Sequence, residues 1–244
     1  MANELLKNPN NKVFGTARSS IENSKVKRND NYVHIQLDII NVASIKPLSE
    51  ICLELSDQPV CVIFNAVSMV PDVNSDLSIN FDSLREINNI GIIGLSNVLN
   101  AFETYLVAKG GIFVGISSFS AFAPTIYIPR IAYPASKAYL NMALRSLRFI
   151  WKDKVAVTTV NLGHMKEPDD KTFGKSVPCY SDVAQVIVNN LTNKRIKVEI
   201  NYPLIYSIVY KKIINFIPDS LYFSIFKVFL KLSKVKSKRV VDGF

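Results

Sequence analysis

Tyr133 and Lys137 stand four residues apart at the start of a helix-like run over 133–151. Four residues make about one helical turn, so both side chains share a face. An ammonium beside a phenol favours the phenolate and lowers its pKa. A tyrosine tuned in this way can act as a general acid or base near neutral pH. Ser118 ends the apolar run that precedes them in 115–138, GISSFSAFAPTIYIPRIAYPASKA. Its hydroxyl is placed to hydrogen-bond the same substrate oxygen. Taken alone, Tyr-x-x-x-Lys is a weak signal, because a surface tyrosine and lysine one turn apart give the same pattern. Its setting adds weight. A buried strand, a Ser-Ser pair and a loop come before it, and a strand ending in Leu162-Gly163 follows.

The elements that must position these residues are legible from apolar periodicity. Short β-branched runs at 12–16, 32–37, 60–64, 112–116, 155–160 and 196–200 predict six strands. Most are continuous rather than alternating, which indicates burial on both faces and hence a parallel sheet. Helical spacing predicts helices over 81–106 and 133–151. Gly91 and Gly94 interrupt the first at a mild cost, and Pro134 is tolerable in the first turn of the second. Ser181 reads as the N-cap of a third helix, with Asp182 and Val183 following. Strands alternating with helices predict βαβ units in an α/β, Rossmann-like doubly wound sheet with right-handed crossovers.

A chain of 244 residues, 48% hydrophobic and 20% charged, can bury a core as one domain. Cys52, Cys61 and Cys179 show no paired spacing, and His34 and His164 are the only histidines. That predicts no metal site and fits a reducing cytoplasm. The opening, MANELLKNPNNK, has no basic segment followed by an apolar run and does not read as a signal peptide. No window offers the roughly 20 uninterrupted apolar residues of a spanning helix.

With these landmarks in order, the chain resembles the short-chain dehydrogenase/reductase family from about residue 4 to about residue 200. Phe64-Asn65-Ala66-Val67 resembles the Asn-Asn-Ala-Gly after the family's fourth strand. Asn88, in INNIG, resembles the active-site asparagine within the long helix. Ser118, Tyr133 and Lys137 resemble the catalytic serine and the Tyr-x-x-x-Lys pair, and Leu162-Gly163 the Pro-Gly after the sixth strand. Asp38 resembles the aspartate that meets the adenine ring.

The resemblance implies a mechanism. Tyr133 would exchange a proton with a carbonyl or alcohol oxygen that Ser118 holds. Lys137 would bind the nicotinamide ribose and depress the tyrosine pKa, and Asn88 would hold a relay water. Cofactor contacts would come from Arg18, Asp38, Asn65, Ala66, Val67, Gly163 and Met165 as well as Tyr133 and Lys137. Hydride transfer itself belongs to the cofactor. Arg18 sits where a family arginine contacts the 2′-phosphate of NADP, and no acidic residue ends the strand before it to claim a free 2′-hydroxyl. NADP(H) is therefore expected over NAD(H), although a solvated loop arginine would read the same.

The sequence also departs from the family. It holds no Thr-Gly-x-x-x-Gly-x-Gly, the turn whose amides approach the pyrophosphate. Its opening residues resemble the latter half of the family's first helix, stopping near Asn8-Pro9. The expectation is a domain lacking one strand, the glycine loop and half a helix, through an upstream start or a lost 5′ end. Loss of that central strand would leave two neighbouring strands with unpaired ladder groups. Such a chain should be unstable and bind cofactor poorly. Val67 replaces a glycine, Leu162 a proline, and Glu167 stands where a threonine often meets the carboxamide. The loop from Ser118 to Tyr133 is two residues longer than usual.

Residues 202–244 are apolar, aromatic and basic, and predict two short amphipathic helices divided by Ile217-Pro218-Asp219. Residues 1–201 would then form the nucleotide-binding domain and 202–244 an extension. With a net charge of +9, this extension fits contact with an anionic membrane surface, or packing over the substrate cleft. Nucleic acid lacks a supporting motif. The leading function is an oxidoreductase acting on a small carbonyl or alcohol, with an apolar one suggested by the apolar extension, cytoplasmic or peripheral at a membrane. Pairing of the long helices would give dimers or tetramers. The alternative is a non-catalytic remnant that cannot bind cofactor. A nucleotide-sugar epimerase is disfavoured, because 244 residues leave no room for the larger substrate domain.

Overall fold

The structure is a computed structural model that describes all residues except 24, 25, 28, 56, 57, 124–129, 172–176, 223 and 225–244. Six strands form as expected: β1 (Val13–Ala17), β2 (Tyr32–Gln36), β3 (Val60–Phe64), β4 (Gly111–Ser118), β5 (Val155–Leu162) and β6 (Glu199–Tyr202). Among the described residues, every pairing between these strands is parallel. The last strand runs one residue past the boundary expected at 201. Among the described residues the helices α1 (Ala2–Leu5), α2 (Lys46–Glu54), α3 (Phe81–Asn88), α4 (Gly94–Lys109), α5 (Ala132–Ile150), α6 (Tyr180–Leu191) and α7 (Leu204–Ser207) accompany them. The sequence reading did not find α2, whose nine residues are too few for a strong helical period.

The strands fall into two sheets, β1-β2 and β3-β4-β5-β6. Among the described residues, β1 ladders only with β2, and β3 only with β4. The break lies between β1 and β3, the position at which unpaired ladder edges were expected. Cys61, in the middle of β3, is exposed. The two sheets nonetheless share one apolar cluster. Phe14 of β1 and Ile35 of β2 pack against a core that includes Val62, Phe64, Phe113, Leu140 and Leu144.

Alternation along β4 explains its continuous apolar run. Phe113 enters the cluster beneath α4 and α5, while Val114 and Ile116 point to the opposite cluster with Val183 and Ile187 of α6. Each strand face thus meets a helix layer, the pattern of a Rossmann-like α/β fold.

The long helix over 81–109 is not uniform. A π-helical turn, Asn89–Ile93, separates α3 from α4. Gly91 has a specific role in it. A Cβ there would lie 2.7 Å from Ser136 Cβ, so glycine permits the close approach to α5 that brings Ser136 and Lys137 inward. The whole run is long and apolar enough to span a bilayer by length and composition. Here Ile87, Ile90, Leu95, Phe102 and Leu106 are buried in the protein.

Two expectations need correcting. The cap of α6 is Cys179 rather than Ser181, because Asp182 reaches back to accept the Cys179 N–H at 3.0 Å. The extension divides at Ile217-Pro218 as expected, but its first part is irregular rather than a plain helix. α7 passes into a π turn, Ile208–Ile213, and a 3-10 turn, Ile214–Phe216. Ile217 is extended, as a residue before proline prefers. Most of the expected second helix lies outside the described residues.

Candidate active site

Tyr133 sits in the first turn of α5, directly above the carboxyl end of β4. Its hydroxyl is within hydrogen-bonding reach of both Ser118 and Ser120. Ser118 caps the 3-10 turn Phe119–Ala121, accepting from Ser120 N at 3.1 Å and from the Ser120 hydroxyl at 2.9 Å. With both bonds accepted, the Ser118 proton remains available to donate. Lys137 lies one turn further on, 6% exposed, and its Nζ is 5.9 Å from the centre of the Tyr133 ring. That ammonium donates to the Ile116 carbonyl at 2.9 Å. Tyr133, Ser118 and Lys137 are therefore brought together.

The electrostatics differ from expectation. Burial raises the Tyr133 pKa above its ordinary value of 10, against lowering by the Ser118 hydrogen bond and by the Arg130 guanidinium. The expected depression by Lys137 is not found, because Lys137 is itself desolvated and turned toward a backbone carbonyl. Burial brings its pKa down to about 8. The cation that lowers the tyrosine is Arg130, 5.7 Å from the ring centre. Sequence reading missed it, since an arginine three residues before the tyrosine falls outside the Tyr-x-x-x-Lys pattern. Ser120 was missed for a similar reason, because only the turn capped by Ser118 folds it back.

Asn88 ends α3 at the start of the π turn, half-buried. Such turns often mark functional positions in helices. Ala66, Val67 and Ser68, after β3, line a small cavity with Gly91, Ser136 and Lys137. Ser68 donates to Glu86 at 3.0 Å. Arg18 follows β1, is 62% exposed and lies 3.7 Å from the same Glu86 carboxylate. Asp38 follows β2 and accepts the Ile40 N–H at 3.1 Å, closing a turn.

Two expected cofactor contacts are less open. Met165 packs its side chain into the core with Val114, Ile116 and Val160. Gly163 donates to the Tyr202 carbonyl at 2.8 Å, and a Cβ on it would meet Pro203 and Tyr206 at 3.0 Å. The extension thus closes over this glycine. Tyr206 and Tyr210 also stack on Phe119, at 5.8 and 5.9 Å between ring centres. Lys211 lies over the Phe122 ring and pairs with Glu199.

A nicotinamide dinucleotide fits part of this arrangement. Arg18, Asp38, Asn65, Ser118 and Gly163 all fall at carboxyl ends of parallel strands, where such folds bind ligands. For the pyrophosphate, the sequence supplies no glycine-rich turn.

The comparisons agree with the fold. No curated protein sequence matches the chain. Among solved structures, it is similar to a 3-ketoacyl-(acyl-carrier-protein) reductase from Brucella melitensis complexed with NADH. That match has a TM-score of 0.68 at 18% identity, covering 82% of this chain and 89% of the other. A serine dehydrogenase from Escherichia coli gives 0.67 at 19% identity, covering 81% and 89%. A short chain dehydrogenase from Burkholderia cenocepacia in complex with NADP gives 0.63 at 17%, covering 83% and 81%. These likenesses establish the fold. The family follows from the sequence profile of the short chain dehydrogenases, which matches residues 1–175. With a parallel α/β sheet and the Ser-Tyr-Lys grouping at its carboxyl edge, the chain belongs to the short-chain dehydrogenase family.

Proposed function

We propose that the chain is an NADP(H)-dependent oxidoreductase that interconverts a small-molecule carbonyl and its alcohol, with Tyr133 as general acid and base. The observation that carries this reading is the Tyr133 hydroxyl set beside Ser118 and Ser120, with the buried Lys137 ammonium near its ring. A bound nicotinamide would give or take hydride at the substrate carbon. Ser118 would donate to the substrate oxygen and orient it. A tyrosine that holds its proton above pH 10 is ready to donate, which suits carbonyl reduction. Lys137 would hold the ribose, and Asn88 a water that returns protons toward Lys137. Asn65, Ala66, Val67, Gly163 and Met165 would line the nicotinamide side, the last two through backbone.

Arg18 and Asp38 would meet the adenosine end. The exposed Arg18 guanidinium favours a 2′-phosphate, with Glu86 as the group it would leave. Consumption of NADPH and NADH against a panel of small and apolar carbonyls tests the function. NADPH should be preferred, and Arg18→Ala should narrow that preference about tenfold or more, roughly the loss of one charge-assisted bond. No turnover of any carbonyl with either cofactor would favour the non-catalytic alternative.

The domain reading assigns 1–201 to cofactor and catalysis and 202–244 to an extension. Three free cysteines suit a cytoplasmic protein. Tyr139, Met142 and Phe149 form an exposed apolar stripe on α5, which supports pairing of long helices between copies. Contact with an anionic membrane surface is supported by the two faces of the extension. Tyr206 and Tyr210 pack inward, while Leu204, Ile205, Ile208, Ile213 and Phe216 are exposed. Six basic residues of 223–244 lie beyond the described part, against one acidic residue. The full chain should co-sediment with phosphatidylserine-containing vesicles and not with neutral ones. Ile205→Asp with Ile208→Asp should return it to the supernatant. Equal recovery in the supernatant for all samples would remove the membrane contact.

A further inference from the structure

We propose that Asp72 is a positioning residue that caps α5 from sixty residues away and so sets the placement of Tyr133. This rests on the reading of Tyr133 as the proton donor. Ile131 occupies the N-cap position of α5 and has no side-chain acceptor to offer the first amides. Those amides would otherwise be unsatisfied. Asp72 supplies the acceptor. Its Oδ2 takes the Ile131 N–H at 2.9 Å and the Ala132 N–H at 2.5 Å. Both amides lie immediately before Tyr133, and a carboxylate at a helix N-terminus also complements the helix dipole.

Asp72 is fully buried, and Oδ1 has no hydrogen-bond partner among the described residues. A buried carboxylate with one bare oxygen is an expensive way to fill space. Its geometry accounts for it as an anchor. Asp72 also belongs to the segment that leaves β3 through Asn65, Ala66 and Val67. Its own carbonyl accepts the Asn80 N–H at 3.0 Å, and the Asn80 side chain caps α3. One residue therefore ties the loop after β3, the start of α3 and the start of α5 together.

The role is separable from general stability. Asp72→Asn keeps one acceptor oxygen for the two amides, whereas Asp72→Ala removes it. Amide hydrogen exchange on the full chain should show Ile131 and Ala132 exchanging about tenfold faster in Asp72→Ala, with partial recovery in Asp72→Asn. In protein carrying 13C at tyrosine Cζ, the Tyr133 signal is assigned by its absence in Tyr133→Phe. Its titration midpoint should move toward the ordinary tyrosine value in Asp72→Ala and return in Asp72→Asn. Both readouts need no substrate, so they stand even if no carbonyl is turned over. Where turnover is present, kcat should fall while cofactor affinity is kept. Unchanged exchange at Ile131 and Ala132, or an unmoved Tyr133 midpoint, in a folded Asp72→Ala protein would overturn the proposal. If the alanine variant does not fold, an asparagine variant that matches the wild type in both readouts supports the cap through its retained oxygen. An asparagine variant as perturbed in both as an uncapped helix overturns it.

Discussion

Replacing Tyr133 with Phe is expected to lower kcat for carbonyl reduction by about 10³, within the range for loss of a general acid. The melting temperature and the NADPH affinity should barely change. The ring of Tyr133 is half-buried and its packing survives in phenylalanine. The Ser118–Ser120 hydrogen bonds also survive, because they are made between the serines themselves. Only the hydroxyl that both serines reach is removed. The pH profile carries a further signature. Reduction needs the proton on Tyr133, and burial holds that pKa above 10. In the enzyme without substrate, the limb due to Tyr133 should therefore lie on the alkaline side of 10. Steady-state assays across pH, with fluorescence titration of NADPH, measure both. A variant that retains turnover would move the proton donor elsewhere.

Lys137→Met should have the opposite effects on stability and activity. Turnover should be lost by about 10² or more if the ribose and proton-relay contact proposed for it disappears. At neutral pH, however, the variant should be the more stable protein. Burial brings the Lys137 pKa from 10.5 to about 8, which corresponds to about 3 kcal/mol against the charged form. Leaving the Ile116 carbonyl without its donor returns about 1–3 kcal/mol of that. The net gain is about 1 kcal/mol, or roughly 2–4 °C in melting temperature for a chain of this size.

The sign is set by linkage. Between pH 8 and 10.5 the unfolded chain binds the lysine proton and the folded chain has released it. Wild-type stability therefore gains from this group as pH rises through that window, and the penalty is fully present below pH 8. Methionine has no such slope. The advantage of the variant should be largest below pH 8 and should vanish or reverse above pH 10. Thermal melts of both proteins from pH 6 to 10.5 measure this. A difference that does not change with pH would mean that the ammonium is not desolvated.

Much of the site was legible because its signals are local. Tyr133 and Lys137 share a helix face at any register of the surrounding fold, and Ser118 ends a strand whose apolar run is unmistakable. β3 was read with its observed bounds, 60–64, because a five-residue apolar run has sharp edges. Helix ends were less legible. The cap of α6 moved to Cys179 because Asp182 reaches back three residues, a bond that residue type alone does not announce. Met165 is among the cofactor contacts that the family resemblance implies. Its side chain instead joins the core with Val114, Ile116 and Val160, a contact that only packing sets.

The residues that tune the site were not legible. Asp72 finds its amides across sixty residues, and Glu86 gathers Ser68 and Arg18 from two separate loops. Arg130, rather than Lys137, lowers the tyrosine because the ammonium is drawn to the Ile116 carbonyl, a direction that only packing sets. Gly91 looked like a small cost to a helix and proved to be the contact that lets α5 approach.

By itself, the sequence determined the parallel α/β class from periodicity, the Tyr133–Lys137 pair from short spacing, and the family with Ser118 from the order of its motifs. The tertiary structure decided how that grouping is charged, what anchors it and which face of the extension packs. Those properties depend on burial and on partners distant in the chain, and neither is encoded in the local order of residues. The division of the strands into two sheets belongs to both. The sequence holds no glycine-rich turn and, among the described residues, β1 and β3 share no ladder, whereas one apolar core bridging the break is a matter of packing alone.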